Sequence, residues 1–288
     1  MDRTVPMNTL LQPQPSVRAG MTGLFLLALA FTALWLGINL AFPELQATGI
    51  PSSVVRSVIH AALLTGLWLG LARTDFDPGT RVRVWIAIAL PFTAWLAVVW
   101  WLALDGAFRP RPGVPALPAA IFLPLLITLP FLLRSRRIGA LLDATPASWL
   151  IGLQVYRVFG GIFLVAWSRG GISGTFALPA ATGDVLVGLL ALPVAYLLHA
   201  GARGARGVAI AWNVLGLIDF AIAIGVGILS TPGPLQIIIP DRPNAQLGTF
   251  PTVMIPAFAV PSSILLHALS LRQLRRRGRG LSDAAAGG

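Results

Sequence analysis

The sequence predicts an all-α, polytopic helical membrane protein with about eight transmembrane helices. Of its 288 residues, 56% are hydrophobic and 11% are charged, whereas a soluble domain carries roughly 25% charged residues. The apolar residues form runs of about 20, the length that crosses a bilayer core as a helix. The basic residues, which are all Arg, fall mostly in the polar gaps between these runs. Too few charges remain to cover a water-exposed surface, so we expect lipid to surround most of the chain.

Eight apolar runs are long enough to span a membrane. They cover residues 21–42, 54–72, 84–104, 116–133, 148–167, 178–199, 207–229 and 251–271. The first run follows Arg3 and Arg18, as the core of a signal peptide would. It is longer than the about 7–15 residues of such a core, and no clear cleavage site ends it. We therefore interpret it as an uncleaved first span.

The distribution of Arg predicts the orientation of the spans. Fifteen of the 21 Arg residues lie in the two tails and in alternate gaps, and five lie in or beside the other gaps. This alternation is what the positive-inside rule requires of a protein with both termini in the cytoplasm. We predict a cytoplasmic tail at 1–19, one transmembrane domain at 20–272, and a cytoplasmic tail at 273–288 that is first basic and then rich in small residues. The use of Arg without Lys suggests a bacterial source and hence the cytoplasmic (inner) membrane.

Two features bear on internal organisation. The fourth and eighth runs are both Pro-rich and end in Arg clusters, which suggests two four-span halves at 20–137 and 145–272, although no residue-by-residue match accompanies this likeness. The longest outer gap, 230–250, is too apolar for a free loop and too short to cross the bilayer. We expect it to lie on the membrane surface or to fold over the outer face of the bundle.

Ionisable residues within the spans are concentrated in the second half of the chain. Arg157, Asp184 and Asp219 lie inside the fifth, sixth and seventh runs, with Gln154 and Asn213 nearby. Each charge shares a predicted helical face with small residues, which allow membrane helices to approach closely. These faces are Gln154, Arg157, Gly161 and Ser168; Asp184, Gly188, Ala191, Ala195 and His199; and Gly216, Asp219, Ala223 and Gly227. We therefore expect the three faces to meet, with Arg157 within about 4–6 Å of at least one Asp.

One cation and two carboxylates would leave a buried net charge of −1. Burial and mutual repulsion favour a proton on one of the two carboxyl groups, and a group that holds and releases a proton is typical of secondary transporters. The alternative is a structural ion pair between Arg157 and one Asp, with the second Asp permanently protonated.

Other kinds of site are disfavoured by what the sequence lacks. There is no Cys, and no pair of His residues has the spacing of a haem or metal site, so we predict neither cofactor nor metal. His199 and His267 fall near predicted cytoplasmic span ends, where we interpret them as interfacial residues. The Arg residues lie at span ends rather than along a groove with aromatics, which argues against nucleic acid as a partner. Sequence motifs of metalloproteases, phosphate loops and serine hydrolases are also absent.

The leading hypothesis is a proton-coupled transporter of a small solute, with Arg157, Asp184, Asp219, Gln154 and Asn213 as its substrate or proton site. The first alternative is a membrane-embedded enzyme acting on a lipid or isoprenoid, with one Asp as general acid or base. The second is a non-catalytic membrane subunit whose polar cluster is purely structural. Because the enzyme motifs named above are missing, we rank the enzyme hypothesis below the transporter hypothesis. The expected partners are the lipid bilayer and a small-molecule or lipid ligand.

Overall fold

The computed structural model describes residues 15–109, 115–231 and 235–286, and within these ranges every regular element is a helix. Eight helical segments are long and apolar enough to cross a membrane, which confirms the predicted fold class. They are span one, Pro15–Ala41; span two, Ile50–Leu71; span three, Pro78–Leu104; span four, Ala116–Arg134; span five, Ala147–Ser168; span six, Gly174–His199; span seven, Ala205–Leu229; and span eight, Ile255–Arg277. Two short α-helices, Pro43–Ala47 and Arg136–Ala144, and a short 3-10 helix, Ala245–Gly248, lie between spans.

Several spans begin earlier than their apolar runs because hydropathy marks the bilayer core and not the helix end. Span three shows the local reason. Asp77 precedes the helix, and its side chain accepts a hydrogen bond from the backbone N–H of Thr80 at 2.9 Å. Pro78 occupies the first helical position, where its missing N–H costs nothing. These are ordinary helix-start residues, and they place the start six residues before the predicted one.

Spans five to eight form the core of the bundle. In the most apolar part of each of these spans, 33–56% of the residues are buried, against 11–22% in spans one to four. Aliphatic, small and aromatic side chains of spans five to eight pack together, including Ile151, Val187, Ala209 and Trp212. Span one packs against span six, and span four packs against span eight. Spans one to four therefore lie at the periphery of this core, and most of their apolar surface is not covered by the described residues.

Span five is not a uniform α-helix. It consists of an α-helix at Ala147–Gly152, a 3-10 helix at Leu153–Gly161 and an α-helix at Ile162–Ser168. A 3-10 helix has three residues per turn, so residues three apart share a face. The predicted face of Arg157 assumed the α-helical period and therefore included Gly161. This was wrong, because the three-residue period places Gly160 on the same face as Arg157. Gly161 packs against Leu36 and Val185.

The segment after span seven folds over one end of the bundle, as expected from its composition. The Oδ1 atom of Asn244 accepts a hydrogen bond from the backbone N–H of Ser173 at 2.8 Å, and its amide donates to Ser230 at 3.1 Å. The hydroxyl of Ser173 donates to Asp241, and Leu247 packs into an apolar cluster with residues of spans five and six. Polar groups at the start of span six thus hold this segment in place.

At the other end of the bundle, the helix Arg136–Ala144 is joined to the end of span eight. The amide of Gln273 donates to the carbonyls of Leu142 and Thr145 at 2.5 and 2.6 Å. Arg276 forms an ion pair with Asp143 that is partly exposed. The Arg276 guanidinium, through its hydrogen bonds, holds the pKa of Asp143 below its usual range.

Candidate functional site

Arg157 lies at the centre of the four-span core and is 3% exposed. Its Nε donates to Asp184 Oδ1 on span six at 2.8 Å. One terminal nitrogen donates to Asp219 Oδ2 on span seven. The other donates to His267 Nε2 on span eight at 3.0 Å. A single guanidinium therefore connects span five to the three other core spans.

The predicted proximity of Arg157 to a carboxylate is confirmed, and the structure goes further by engaging both carboxylates. The sequence hypothesis of a structural pair assumed one Asp bound to Arg157 and another left over. Here Asp184 and Asp219 each form an ion pair with the same guanidinium, and both are buried. The assumption of one unpaired Asp was wrong, because a guanidinium can direct different N–H groups at two acceptors.

Close helix approach at glycines makes this arrangement possible. A Cβ atom added to Gly188 on span six would lie 2.6 Å from the backbone nitrogen of Val158 on span five. Equivalent atoms at Gly160 and Gly183 would overlap the carboxyl groups of Asp184 and Asp219, and one at Gly216 would overlap the ring of His267. Spans five, six and seven therefore approach closely, as expected from their small residues. Gly188 and Gly216 belong to the predicted faces, whereas Gly160 and Gly183 do not.

His267 belongs to this cluster, and the prediction that it is an interfacial residue was wrong. Its side chain is fully buried. Span eight continues as a helix well past the end of its apolar run, to Ala286, so His267 lies near the middle of the helix and not near its end. Because an Arg only donates, the Nε2 atom of His267 must accept, and its Nδ1 then carries the proton. That N–H points at Asn213 Oδ1 at 3.0 Å.

Asn213 joins the cluster through His267 and not through Arg157. Its amide nitrogen donates to Ala209 O at 2.8 Å and to Ser270 Oγ at 3.0 Å. The chain of hydrogen bonds thus runs from Arg157 through His267 to Asn213 and Ser270. His267 and Ser270 were missed by sequence reasoning, although Ser263, His267 and Ser270 lie four and three residues apart and form one polar helical face.

Gln154 is the predicted site residue that the structure does not bring into the network. It is fully buried on the 3-10 segment of span five. Among the described residues, neither its side-chain oxygen nor its nitrogen has a hydrogen-bond partner. Its assignment to a substrate or proton site remains a prediction.

An aromatic ring completes the surroundings of the guanidinium. The carbon of the Arg157 guanidinium lies 3.9 Å from the centre of the Phe220 ring, a distance at which the face of the ring attracts a cation. Phe220 follows Asp219 directly on span seven, so this span supplies both a carboxylate and an aromatic face to Arg157.

A small cavity of about 50 Å³ lies beside the cluster. Arg157 and Asp184 line it, together with Tyr156 and Ser263, whose hydroxyl groups are hydrogen-bonded at 2.6 Å. A single water needs roughly 10–15 Å³ on this scale, so the space fits a few waters or a small polar group. In the part of the chain that the structure describes, no group of three or more His, Asp or Glu residues could hold a metal ion.

Comparison with known proteins gives a family but no activity. The family model described as a domain of unknown function, DUF8737, matches residues 114–275. Among curated proteins and among solved structures, the chain has no match. The matched segment covers spans four to eight and includes Arg157, Asp184, Asp219 and His267. Since the match extends over more than half of the chain, this protein belongs to the DUF8737 family.

Proposed function

We propose that this protein transports a small solute across the membrane and couples that movement to a proton held at the Arg157 cluster. The observation that carries the proposal is the sharing of one buried guanidinium by Asp184 and Asp219 next to a cavity. With both carboxylates ionised and His267 neutral, this group has a net charge of −1. Charged side chains inside a membrane protein are costly and mark ion and proton pathways.

Asp184 is the better placed proton carrier of the two carboxylates. It lines the cavity, whereas Asp219 does not. A proton that enters the cavity would bind a carboxylate oxygen of Asp184 and remove one of the two negative charges around Arg157. The guanidinium would keep its full ion pair with Asp219 and lose that with span six. Protonation would therefore change how strongly span six is attached to the rest of the core.

Two backbone features support a rearrangement at this position. The 3-10 segment Leu153–Gly161 carries Arg157, and span eight begins with a π-helix at Ile255–Ala259 that borders the same cavity. Both kinds of helix depart from the α-helical hydrogen-bond pattern and occur at hinges and functional sites. A ligand shifts a conformational equilibrium only by its difference in affinity for the two states, and the ion pair between Arg157 and Asp184 would supply such a difference.

Two measurements on full-length protein in lipid vesicles test this proposal. Infrared difference spectra between acidic and alkaline pH should contain a carboxylic-acid carbonyl band that the variant Asp184→Asn lacks. Vesicles that contain a trapped pH dye should acidify when one member of a panel of carboxylates, phosphates, amines and sugars is added outside. Asp184→Asn should abolish that acidification, and the exposed control Asp105→Asn should preserve it. A spectrum without any titrating carboxyl band from Asp184 or Asp219 would contradict the proposal.

A membrane-embedded enzyme acting on a lipid is the second candidate function. A mainly apolar cavity of about 170 Å³ favours it, and spans two, five and eight line both this cavity and the polar one. An enzyme of this kind would convert its substrate in detergent micelles, where no gradient exists. A transporter would act only in sealed vesicles, and a purely structural subunit would show neither activity.

A further inference from the structure

Arg56 is a second buried arginine and lines the same polar cavity as Arg157. It lies in the second turn of span two and is 6% exposed. Its only hydrogen bond in the described part of the chain goes from one terminal nitrogen to the carbonyl of Pro251, at 3.4 Å. The Nε atom is buried and has no acceptor there. No described carboxylate forms an ion pair with this guanidinium, in contrast to Arg157, which has two.

Trp35 on span one carries a second donor without a partner among the described residues. Trp35 lines the cavity, and its buried indole nitrogen has no acceptor among the described residues. Trp35 is held in position by Phe159, whose ring lies 5.0 Å away in an edge-to-face arrangement. Burying a cation or an N–H group without a partner is costly. Two such donors at one cavity indicate a ligand that is negatively charged and rich in acceptors.

Spans two, five and eight line both the polar cavity and the mainly apolar cavity of about 170 Å³. On span two, Arg56 borders the polar cavity and Leu63 and Leu67 border the apolar one. On span eight, Ser263 borders the polar cavity, and Leu266 and Leu269 border the apolar one. Span five runs in the opposite direction, and there the apolar lining residues, including Leu150 and Leu153, precede Tyr156. On all three spans, the residues that line the apolar cavity therefore lie toward the same end of the bundle, relative to the residues that line the polar cavity.

From this arrangement we infer that the groove between spans two, five and eight binds an anionic amphiphile. Its oxyanion head group, a carboxylate or a phosphate, accepts hydrogen bonds from Arg56 and Trp35 in the polar cavity. Its hydrocarbon tail occupies the apolar cavity beside Leu63, Leu153 and Leu266. This binding site does not depend on the proposed transport function. Only the identification of this amphiphile as the transported solute rests on that function.

The charges of the site couple the binding of this ligand to the binding of a proton. Arg56, Arg157, Asp184 and Asp219 together have no net charge when all four are ionised. A bound monoanion would bring the group to −1, and one proton on Asp184 would restore neutrality. Because net charge is costly within the membrane, the anion and the proton favour each other's binding.

Equilibrium binding to full-length protein in neutral maltoside micelles tests the site without any gradient. The probes are radiolabelled dodecyl phosphate, laurate, dodecanol and inorganic phosphate. We expect dodecyl phosphate or laurate to bind at least about tenfold more tightly than dodecanol and inorganic phosphate, since charge-assisted hydrogen bonds and tail burial each add affinity. Equal binding of dodecanol would overturn the role of the head group, and equal binding of inorganic phosphate would overturn the role of the tail.

Single substitutions test whether the amphiphile binds in this groove. Arg56→Gln should weaken binding of the tighter amphiphile by about 10- to 100-fold, whereas Arg83→Gln, an exposed arginine at the start of span three, should leave it unchanged. Trp35→Phe keeps an aromatic ring, removes one donor and should weaken binding several-fold, which decides the question even if Arg56→Gln does not fold. Wild-type affinity in a folded Arg56→Gln would refute the site. If Arg56→Gln does not fold, wild-type affinity in Trp35→Phe would refute it. Binding that depends on Arg56 without any proton movement in vesicles would refute the transport function and leave this inference intact.

Discussion

Arg157 on span five donates a hydrogen bond to the imidazole of His267 on span eight, 110 positions later in the chain, at a distance of 3.0 Å. This bond extends the ion-pair cluster of spans five, six and seven to the last span. It also fixes the proton of His267 on Nδ1, where Asn213 accepts it. The cluster is therefore one hydrogen-bonded network that includes all four core spans.

Removal of the Arg157 charge should strongly destabilise the core. In Arg157→Met, two buried carboxylates lose their shared cation, and the free energy of unfolding should fall by about 3–5 kcal/mol. The triple variant Arg157→Met with Asp184→Asn and Asp219→Asn removes all three charges and should recover part of this loss. Unfolding in mixed micelles measures both values. An Arg157→Met protein as stable as the control Arg83→Gln would contradict the assignment of a buried network.

The close approach of span seven to the cluster can be tested with two glycines of that span. A Cβ atom at Gly216 would overlap the His267 ring, whereas one at Gly225 meets no other atom within 4 Å. Gly216→Ala should therefore cost about 1–3 kcal/mol of stability. Gly225→Ala should be neutral or stabilising by up to about 1 kcal/mol. Thermal unfolding of the two variants under the same conditions gives the comparison, and equal midpoints would argue against the tight packing at Gly216.

The protonation state of His267 is a spectroscopic prediction. The chain has three histidines, so ¹⁵N spectra of histidine-labelled protein can be assigned with single substitutions. We expect one neutral ring with its proton on Nδ1, and we expect its signals to disappear in His267→Gln. Asn213→Ala should alter them because it removes the acceptor of that proton. A His267 ring with its proton on Nε2 would mean that Arg157 does not donate to it.

The ion pair of Asp143 and Arg276 should make a small contribution to stability that depends on pH. The hydrogen bonds from Arg276 lower the pKa of Asp143 in the folded protein, so the contribution is present above the usual carboxyl pKa of about 4 and is lost as the pH falls through the lowered value. The pair is nearly half exposed, which limits it to about 1 kcal/mol or less. Asp143→Asn should lower the unfolding midpoint at neutral pH, and this difference should vanish in acid. Asp105→Asn, which removes an exposed carboxylate that forms no ion pair with the described residues, serves as the matched control.

The orientation of the bundle is a prediction from the Arg distribution, and reporter fusions can test it. Fusions after Arg137 and after Gly278 should report a cytoplasmic location, and a fusion after Gly113 should report the opposite side. Gly113 precedes span four and Arg137 follows it, so the first and third fusions bracket one crossing. A cytoplasmic signal at Gly113 would contradict the predicted orientation.

The sequence by itself determined the spans and the identity of the central charges. The length of an apolar run is a local property that the bilayer thickness imposes, so all eight spans could be identified without knowledge of their neighbours. Arg157, Asp184 and Asp219 could be selected because ionisable residues are rare inside apolar runs. Their small-residue neighbours correctly indicated that these spans pack closely.

Only the tertiary structure decided which groups are partners. The 3-10 geometry of span five placed Gly160 instead of Gly161 opposite Asp184, because a change from 3.6 to 3 residues per turn rotates the face of the helix. His267 was assigned to the interface because hydropathy does not show how far a helix extends beyond its apolar run. Arg56 stood near a predicted span end, and only the packing of spans one, two and five showed it buried beside Trp35 in a shared cavity. These partnerships join residues far apart in the chain, and local patterns do not specify which helix faces which.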